Sequence, residues 1–165
     1  MVYHPLEPIY DKNSKILILG TMPSVKSREY GFYYAHPQNR FFKVLSTIFG
    51  ELLPNTKEEK IAFLKRHNIA LYDVLKSCDI KGSKDNTIKN FEVNDFTIIL
   101  KNSCIKTVFT TGKKAYELYQ KYCYPVTKIK AIYLPSSSPL NIANFSFEQL
   151  VEEYKIILDY LDKKD

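Results

Sequence analysis

The sequence is poor in the features that build metal centres, disulfide frameworks and membrane anchors. Its three cysteines, Cys78, Cys104 and Cys123, lie far apart, with no CxxC pair and no cysteine–histidine spacing. This pattern indicates neither a disulfide framework nor a metal or iron–sulfur site, so we expect no metal and no cofactor. No apolar run approaches the roughly 18–20 residues of a membrane span. Residues 1–15 also lack the apolar region of a signal peptide, and we predict a cytoplasmic protein with no membrane partner.

Glycine is also scarce, and two loops that depend on it are missing. The chain has five glycines and contains neither a GxxxxGK[ST] phosphate-binding loop nor a GxSxG nucleophile elbow. Its three histidines are scattered along the chain. The sequence therefore excludes a P-loop nucleotide hydrolase and disfavours nucleophilic catalysis by serine.

Positive charge and aromatic residues are plentiful instead. The chain has 24 Lys and Arg against 18 Asp and Glu, which gives a net charge of +6, and its pI is about 9.0. This balance permits nucleic-acid binding but does not show it. A length of 165 residues predicts one domain, residues 1–165, with an ordinary core. We expect it to act as a monomer.

Four short apolar runs predict the strands of a parallel sheet. They are continuous rather than alternating, as expected for strands that helices cover on both faces. The runs are residues 16–19, 69–72, 107–109 and 131–134. Helical patterns begin near Asn39, Thr56, Asn94, Gly112 and Ser146. This alternation of strands and helices predicts an α/β fold, specifically a three-layer α/β/α sandwich.

The carboxyl ends of these strands indicate where a site would lie, because open α/β sheets bind ligands beyond those ends. Segments 20–39, 110–113 and 135–141 follow the first, third and fourth runs. Segment 73–88 follows the second run and offers two carboxylates, Asp73 and Asp85.

Aromatic and basic residues are interleaved at the start of this predicted edge. Six of the thirteen residues from 30 to 42 are aromatic, and Lys26, Arg28, Arg40 and Lys43 lie among or beside them. Such a mixture suits a site that stacks a nucleobase and holds a phosphate backbone.

Two polar residues in this stretch allow more than one interpretation. His36 is either a general acid or anion contact, or a surface residue before a proline. Asn39 either caps the helix that it precedes, or uses its amide to orient a water or bind a base carbonyl.

The later segments offer groups that bind anions. Lys113 and Lys114 begin a predicted helix after Gly112, where free N–H groups and ammonium groups favour an anion. Ser136, Ser137 and Ser138 lie between two prolines. Hydroxyls in such a stiff loop either grip phosphates or belong to a solvated connector.

Together these segments resemble the uracil-DNA glycosylase superfamily, and most of all its hypoxanthine (deoxyinosine) branch, which is related to mismatch-specific uracil and thymine glycosylases. The resemblance covers residues 16–160. It is carried by GTMPS (20–24), YYAHPQNRFF (33–42), LYDVL (71–75), GSKDNTI (82–88), TTGKKA (110–115) and LPSSSPLN (134–141). It implies a central four-stranded parallel sheet and a monofunctional enzyme that flips a damaged base out of DNA and hydrolyses its N-glycosidic bond.

The resemblance also implies a role for each matching residue. Asn39 is the catalytic candidate, since the loop Met22-Pro23-Ser24 has no carboxylate or amide where many relatives have one. The base-binding residues expected are Gly20, Thr21, Met22, Tyr34, Phe42 and Thr111. The DNA-binding residues expected are Ser24, His36, Arg40, Lys113, Ser136, Ser137, Ser138 and Asn141.

The chain departs from the family pattern at two places. Many relatives have His where this chain has Leu134, so the resemblance implies no imidazole contact to the leaving base from this loop. Many also have Phe-Asn-Gly where this chain has Thr110-Thr111-Gly112, which leaves the base-reading contact, and so the substrate, open. The expected partner is double-stranded DNA that carries a deaminated base, with single-stranded DNA left open. The alternatives are a uracil or mismatch glycosylase, a nucleic-acid-binding module without catalysis, and a hydrolase of free nucleosides or nucleotides.

Overall fold

A parallel sheet of four strands forms the centre of the protein in the computed structural model, which describes residues 1–162. The strand order is β3-β2-β6-β7, and each neighbouring pair is parallel. The strands of this sheet are β2 (Ile16–Gly20), β3 (Ile69–Asp73), β6 (Thr107–Thr111) and β7 (Ala131–Leu134). The four predicted strands are confirmed, and three of them extend one or two residues further. Residues 163–165 of the predicted domain lie outside the described part.

A second, smaller sheet was not predicted. Its three strands are antiparallel, in the order β1-β4-β5. They are β1 (Val2–Tyr3), β4 (Leu75–Asp79) and β5 (Lys89–Val93). Because β4 begins two residues after β3 ends, this sheet extends the fold beside one end of the central sheet and anchors the first residues of the chain there.

Helices cover both faces of the central sheet. They are α1 (Val25–Tyr30), α2 (Phe41–Phe49), α3 (Lys57–Arg66), α4 (Thr97–Lys101), α5 (Lys113–Leu118), α6 (Tyr124–Thr127), α7 (Phe147–Tyr154) and α8 (Ile156–Leu161). A π-helical turn, Tyr119–Cys123, joins α5 to α6. Complete capping boxes begin α3 at Thr56 and α7 at Ser146.

The continuous apolar strands supply two cores, one on each face. Ile16 and Ile18 face α2, α3, α7 and α8, whereas Leu17 and Leu19 face α4, α5 and the second sheet. Successive residues of a strand point to opposite faces of the sheet. Because both faces are covered, all four side chains are buried. The three-layer α/β/α sandwich is therefore confirmed, and the loops after β2, β3, β6 and β7 meet at one edge of the sheet.

The segment after β2 is more regular than the expected loop. Ser24 caps α1, and its side chain accepts a hydrogen bond from the backbone N–H of Ser27. The buried Ser27 hydroxyl in turn accepts from the backbone N–H of Ala35. These bonds fix the path of the aromatic stretch that follows.

Candidate active site

A cleft of about 980 Å³ lies at the carboxyl edge of the central sheet. The loops after β2, β6 and β7 contribute to the wall, together with Asp73 at the end of β3 and with Asp85 and Asn86 of a 3₁₀ turn. Most of the residues expected at the site line this cleft: Gly20, Thr21, Met22, Ser24, Tyr34, His36, Asn39, Thr111, Lys113, Ser136, Ser137, Ser138 and Asn141.

The floor of the cleft holds a buried carboxylate. Asp73 ends β3, directly beside Gly20 at the end of β2. A Cβ atom at Gly20 would lie 2.7 Å from Asp73 Oδ1, so only glycine fits beneath this carboxylate. The other carboxylate oxygen, Oδ2, lies 2.7 Å from His4 Nε2. Asp73 therefore presents Oδ1 to the cleft, while its Oδ2 is bound by His4.

Tyr34 places a hydroxyl beside the same point. Its oxygen lies 3.5 Å from the position that a Gly20 Cβ would occupy, and it is buried with no hydrogen-bond partner among residues 1–162. Burial and the negative charge of Asp73 raise the pKa of Tyr34, and the nearby Thr111 hydroxyl opposes this rise only in part. The Tyr34 hydroxyl therefore keeps its proton.

The backbone of Tyr34 is held in an unusual conformation. Its φ of 54° is left-handed, which is costly for a bulky side chain. Its ring stacks on Phe41 with a centroid distance of 3.9 Å and an interplanar angle of 14°. Phe41 thus covers one face of the Tyr34 ring, and the expected base contact of Tyr34, which lines the cleft, stays a prediction.

The two interpretations of Asn39 turn out to be compatible. Asn39 Oδ1 accepts hydrogen bonds from the backbone N–H of Phe41 and from the Ser137 hydroxyl, both at 2.9 Å. Because the backbone N–H can only donate, the amide oxygen must face it, and Nδ2 is left for the cleft. Asn39 thus supports the first turn of α2 with its oxygen and offers a donor to a ligand with its nitrogen.

The three serines differ in what they can offer a phosphate. Ser137 is 1% exposed and its hydroxyl donates to Asn39, so the expected phosphate contact by this side chain is not supported. Ser136 and Ser138 accept from backbone N–H groups of Ser138 and Leu140. Their own hydroxyl protons are still available for phosphate oxygens.

Asn141 holds the serine loop together. Its Nδ2 donates to the backbone carbonyl of Ser136, and its Oδ1 accepts from Asn144. The amide therefore has a structural role inside the loop, and because Nδ2 keeps a second N–H and Asn141 lines the cleft, its expected DNA contact stays a prediction.

One wall of the cleft carries a second carboxylate. The Thr21 hydroxyl donates to Asp85 Oδ2 across 3.4 Å. Desolvation against the cleft wall raises the pKa of Asp85, the Thr21 hydroxyl opposes this, and the charge of Asp73 adds to it. Thr111 and Met22 complete this side of the cleft, and Thr111 is buried at the end of β6.

The rim of the cleft offers hydrogen-bond donors for a phosphate backbone. His36 Nδ1 accepts from the backbone N–H of Gln38, which leaves the Nε2 side of the ring as the donor. Lys113 is exposed at the start of α5. Both side chains line the cleft and carry or offer protons that suit phosphate oxygens.

Two residues expected at the site lie outside the cleft lining. Phe42 is 5% exposed and packs with Phe32 in the core, so the structure does not bring its ring to the cleft and gives no support to the expected stacking on a base. Arg40 donates through Nη1 to the carbonyl of Phe145 at 2.6 Å. Its guanidinium ties α2 to the loop before α7, and the expected direct DNA contact is not supported.

Sequence reasoning missed two further features of the cleft. His4 lies 69 positions from Asp73, and no local pattern could connect them. Leu140 is 68% exposed and lies on the rim of the cleft. The sequence does contain an indication of this, because Leu140 is an apolar residue inside the polar loop of residues 135–141.

Residues 1–162 contain no group of three or more His, Cys, Asp or Glu that could hold a metal ion. Within the same residues, no helix is both long and apolar enough to cross a membrane.

Known proteins are similar to this chain in sequence and in architecture. Two relatives are named hypoxanthine DNA glycosylase. One, from Methanosarcina barkeri, is 40% identical over 113 residues, which are 67% of this chain and 71% of the relative. The other, from Methanosarcina acetivorans, is 34% identical over 145 residues, 86% of this chain and 89% of the relative.

A solved structure and a family profile agree with these relatives. The solution NMR structure of a protein from Methanosarcina acetivorans, described as a candidate uracil DNA glycosylase, superimposes with a TM-score of 0.83 at 31% identity. It covers 99% of this chain and 100% of that one. The profile of the Uracil DNA glycosylase superfamily matches residues 7–161. The protein belongs to the uracil DNA glycosylase superfamily.

Proposed function

We propose that this protein is a monofunctional DNA glycosylase that hydrolyses the N-glycosidic bond of a deaminated base, with hypoxanthine as the preferred base. Membership of the superfamily and the names of the two relatives support this reaction and this base. The substrate we propose is double-stranded DNA, on which a single glycosylase domain acts as a monomer. The cytoplasmic location and the monomeric state stay predictions.

The observation that carries the proposal is the pair of polar groups at the cleft floor. The Asp73 carboxylate can only accept a hydrogen bond, and the Tyr34 hydroxyl, whose proton is retained, can donate one. Deamination converts the N=C–NH₂ edge of adenine or cytosine into an N–H and C=O edge. An acceptor beside a donor fits the deaminated edge, whereas adenine and cytosine present the opposite order of acceptor and donor.

Guanine and thymine also carry an N–H and C=O edge, so this pair of groups does not exclude them. Selection against them would come from the cost of flipping, which is a few kcal/mol and is least for a mispaired base. Hypoxanthine opposite thymine is such a mispair. The two polar groups at the cleft floor therefore discriminate against adenine and cytosine, whereas the flipping cost discriminates against correctly paired guanine and thymine.

Bond breaking builds positive charge on the deoxyribose and negative charge on the base. Water adds its oxygen to C1′, the bond from C1′ to the base nitrogen breaks with its electron pair on the base, and the proton of water is released. Asn39 Nδ2 is a donor, and a donor on the water oxygen would withdraw the electrons needed for attack. We therefore assign this amide to the departing base, where oriented donors stabilise developing charge.

The negative charge of the Asp73 carboxylate repels the negative charge that develops on the departing base. This carboxylate therefore improves the selection of the base but slows its release. The donors Tyr34 and Asn39 offset that effect from the same cleft. Ser136, Ser138 and Lys113 also line the cleft, which supports assigning them to the flanking phosphates. Leu140 projects from the rim, where an apolar side chain can fill the space that a flipped nucleotide leaves.

A panel of duplexes tests the proposal. Each duplex carries one hypoxanthine, uracil, xanthine or thymine, and alkali converts abasic sites into strand breaks after incubation. We expect hypoxanthine to be released faster than uracil. Uracil release with hypoxanthine untouched would assign the protein to another branch, and binding without any release would favour a non-catalytic module. Activity on free inosine but not on DNA would favour a nucleoside hydrolase.

A further inference from the structure

His4 lies in the first strand region of the chain, before the residues 7–161 that match the family profile. Its side chain is 2% exposed, and the Asp73 side chain that it contacts is 5% exposed. The distance of 2.7 Å between His4 Nε2 and Asp73 Oδ2 is that of a strong hydrogen bond. A buried imidazole thus supports the carboxylate at the floor of the cleft.

The protonation of His4 follows from its second contact. The backbone N–H of Leu6 donates to His4 Nδ1 at 3.3 Å. A backbone N–H can only donate, so Nδ1 carries no proton and the proton of a neutral ring lies on Nε2. His4 therefore donates to Asp73, and the carboxylate receives a donor without needing a proton of its own.

The segment that carries His4 is fixed on both sides. Tyr3 pairs with Ser77 in the second sheet, and the backbone N–H of His4 donates to the carbonyl of Lys76. Further along, Ile9 forms a bridge with Leu71 of β3. The imidazole is packed against the edge of the Tyr72 ring, with 4.9 Å between centroids. This support leaves His4 little freedom to turn away from Asp73.

We propose that His4 is a positioning residue for base recognition: it holds Asp73 Oδ2 so that Oδ1 stands above Gly20 as an acceptor for the ring N–H of the base. The inference rests on the proposed function and adds the N-terminal segment to the site. Without the His4 donor, the buried carboxylate loses the bond that fixes its rotation. Oδ1 is then no longer held against the edge of the base.

Two substrates isolate this contact. Hypoxanthine carries N1–H, whereas 1-methylhypoxanthine has a methyl group in its place and cannot donate to Asp73. Single-turnover release of each base from otherwise identical duplexes gives a rate ratio, which we compare among wild type, His4→Ala, His4→Gln and Asp73→Ala. Wild type should strongly prefer hypoxanthine. Loss of a hydrogen bond to a charged group predicts a fall of the ratio by about 10-fold or more in Asp73→Ala and His4→Ala.

Two further variants separate positioning from folding. His4→Gln keeps an N–H donor on a side chain of similar reach and should restore much of the ratio. His67→Ala is the matched control, since His67 is another histidine that contacts a carboxylate, Glu51, but outside the cleft. It should lower the melting temperature and leave the ratio unchanged. Binding to a duplex with an abasic site, which has no base to read, should be equal in all His4 variants and wild type.

The outcomes are distinct. A wild-type rate ratio in His4→Ala, whether or not both rates fall equally, would overturn the role of His4 while the proposed function stands. Failure of the wild type to release any base would instead overturn the proposed function. The ¹⁵N chemical shifts of the His4 ring give a readout without activity, and a proton on Nδ1 rather than Nε2 would contradict the inferred hydrogen bond.

Discussion

Replacement of Asn39 by Asp separates the two tasks that its amide performs. The carboxylate of Asn39→Asp keeps an oxygen for the Phe41 N–H and the Ser137 hydroxyl, but it removes the Nδ2 donor that faces the cleft. We expect a melting temperature near that of wild type. Base release should fall by about 100-fold, as for the loss of one oriented donor to developing charge.

The comparison variant is Asn39→Ala, which loses both tasks. Loss of the contact to the Phe41 N–H costs about 1 kcal/mol, and the Ser137 hydroxyl left without its acceptor adds about 1–3 kcal/mol. In a domain of this size each kcal/mol lowers the melting temperature by about 2–4 °C. Asn39→Ala should therefore melt about 4–16 °C lower and lose activity to a similar extent as Asn39→Asp.

The assay combines single-turnover release of hypoxanthine with thermal melting and with anisotropy on a duplex that cannot be cleaved. DNA affinity should change little, because other residues contact the phosphates. If Asn39→Asp releases hypoxanthine at the wild-type rate, the amide nitrogen has no part in the reaction. Attention would then shift to His36 and to Ser136 and Ser138.

Three further predictions concern the rim and the surface. Leu140→Ala should slow release from a duplex on the order of 10-fold and leave a single-stranded substrate nearly unaffected, because only the duplex has a stack to refill. Lys113→Ala with Lys114→Ala should reduce the log–log salt slope of DNA binding by about 2, since each phosphate neutralised contributes about 0.9; an unchanged slope would contradict backbone contact there. The hydrogen bond from Arg66, with a smaller part from His67, lowers the pKa of Glu51. The stabilisation by Glu51 is therefore present above its ordinary pKa and is lost as the pH falls through the lowered one. The difference in melting temperature between wild type and Glu51→Gln should thus be present at pH 7 and shrink as the pH falls below the ordinary pKa of a glutamate.

The central sheet could be predicted because its strands include continuous apolar runs. Residues 16–19 are buried throughout, as in a strand covered on both faces. Residues 131–134 keep an apolar run at the edge of the sheet, although Tyr133 is exposed there. The strands β4 and β5 could not be found in this way. Neither strand is a continuous apolar run, no residue of β5 is fully buried, and Lys76, Lys89 and Glu92 give the two strands the composition of a polar loop.

The site was predictable where its residues are close in sequence and not where it depends on distant pairing. Phe41 and Phe42 are both buried, but only Phe41 stacks on Tyr34, and the sequence does not distinguish the two. Ser137 resembles its neighbours in sequence, yet it alone of the three serines donates to Asn39. The Asp73 carboxylate acquires its orientation from His4, which the chain brings close only when the second sheet forms.

Identification of the product released from one duplex tests the central claim most directly. The duplex carries a single hypoxanthine opposite thymine, and mass spectrometry follows both the free base and the strand that held it, beside a duplex with adenine at the same position. We predict free hypoxanthine and an intact strand with one abasic site, and no adenine from the second duplex. Recovery of the hypoxanthine strand unchanged under conditions in which the protein binds it, or equal release of adenine, would contradict the account.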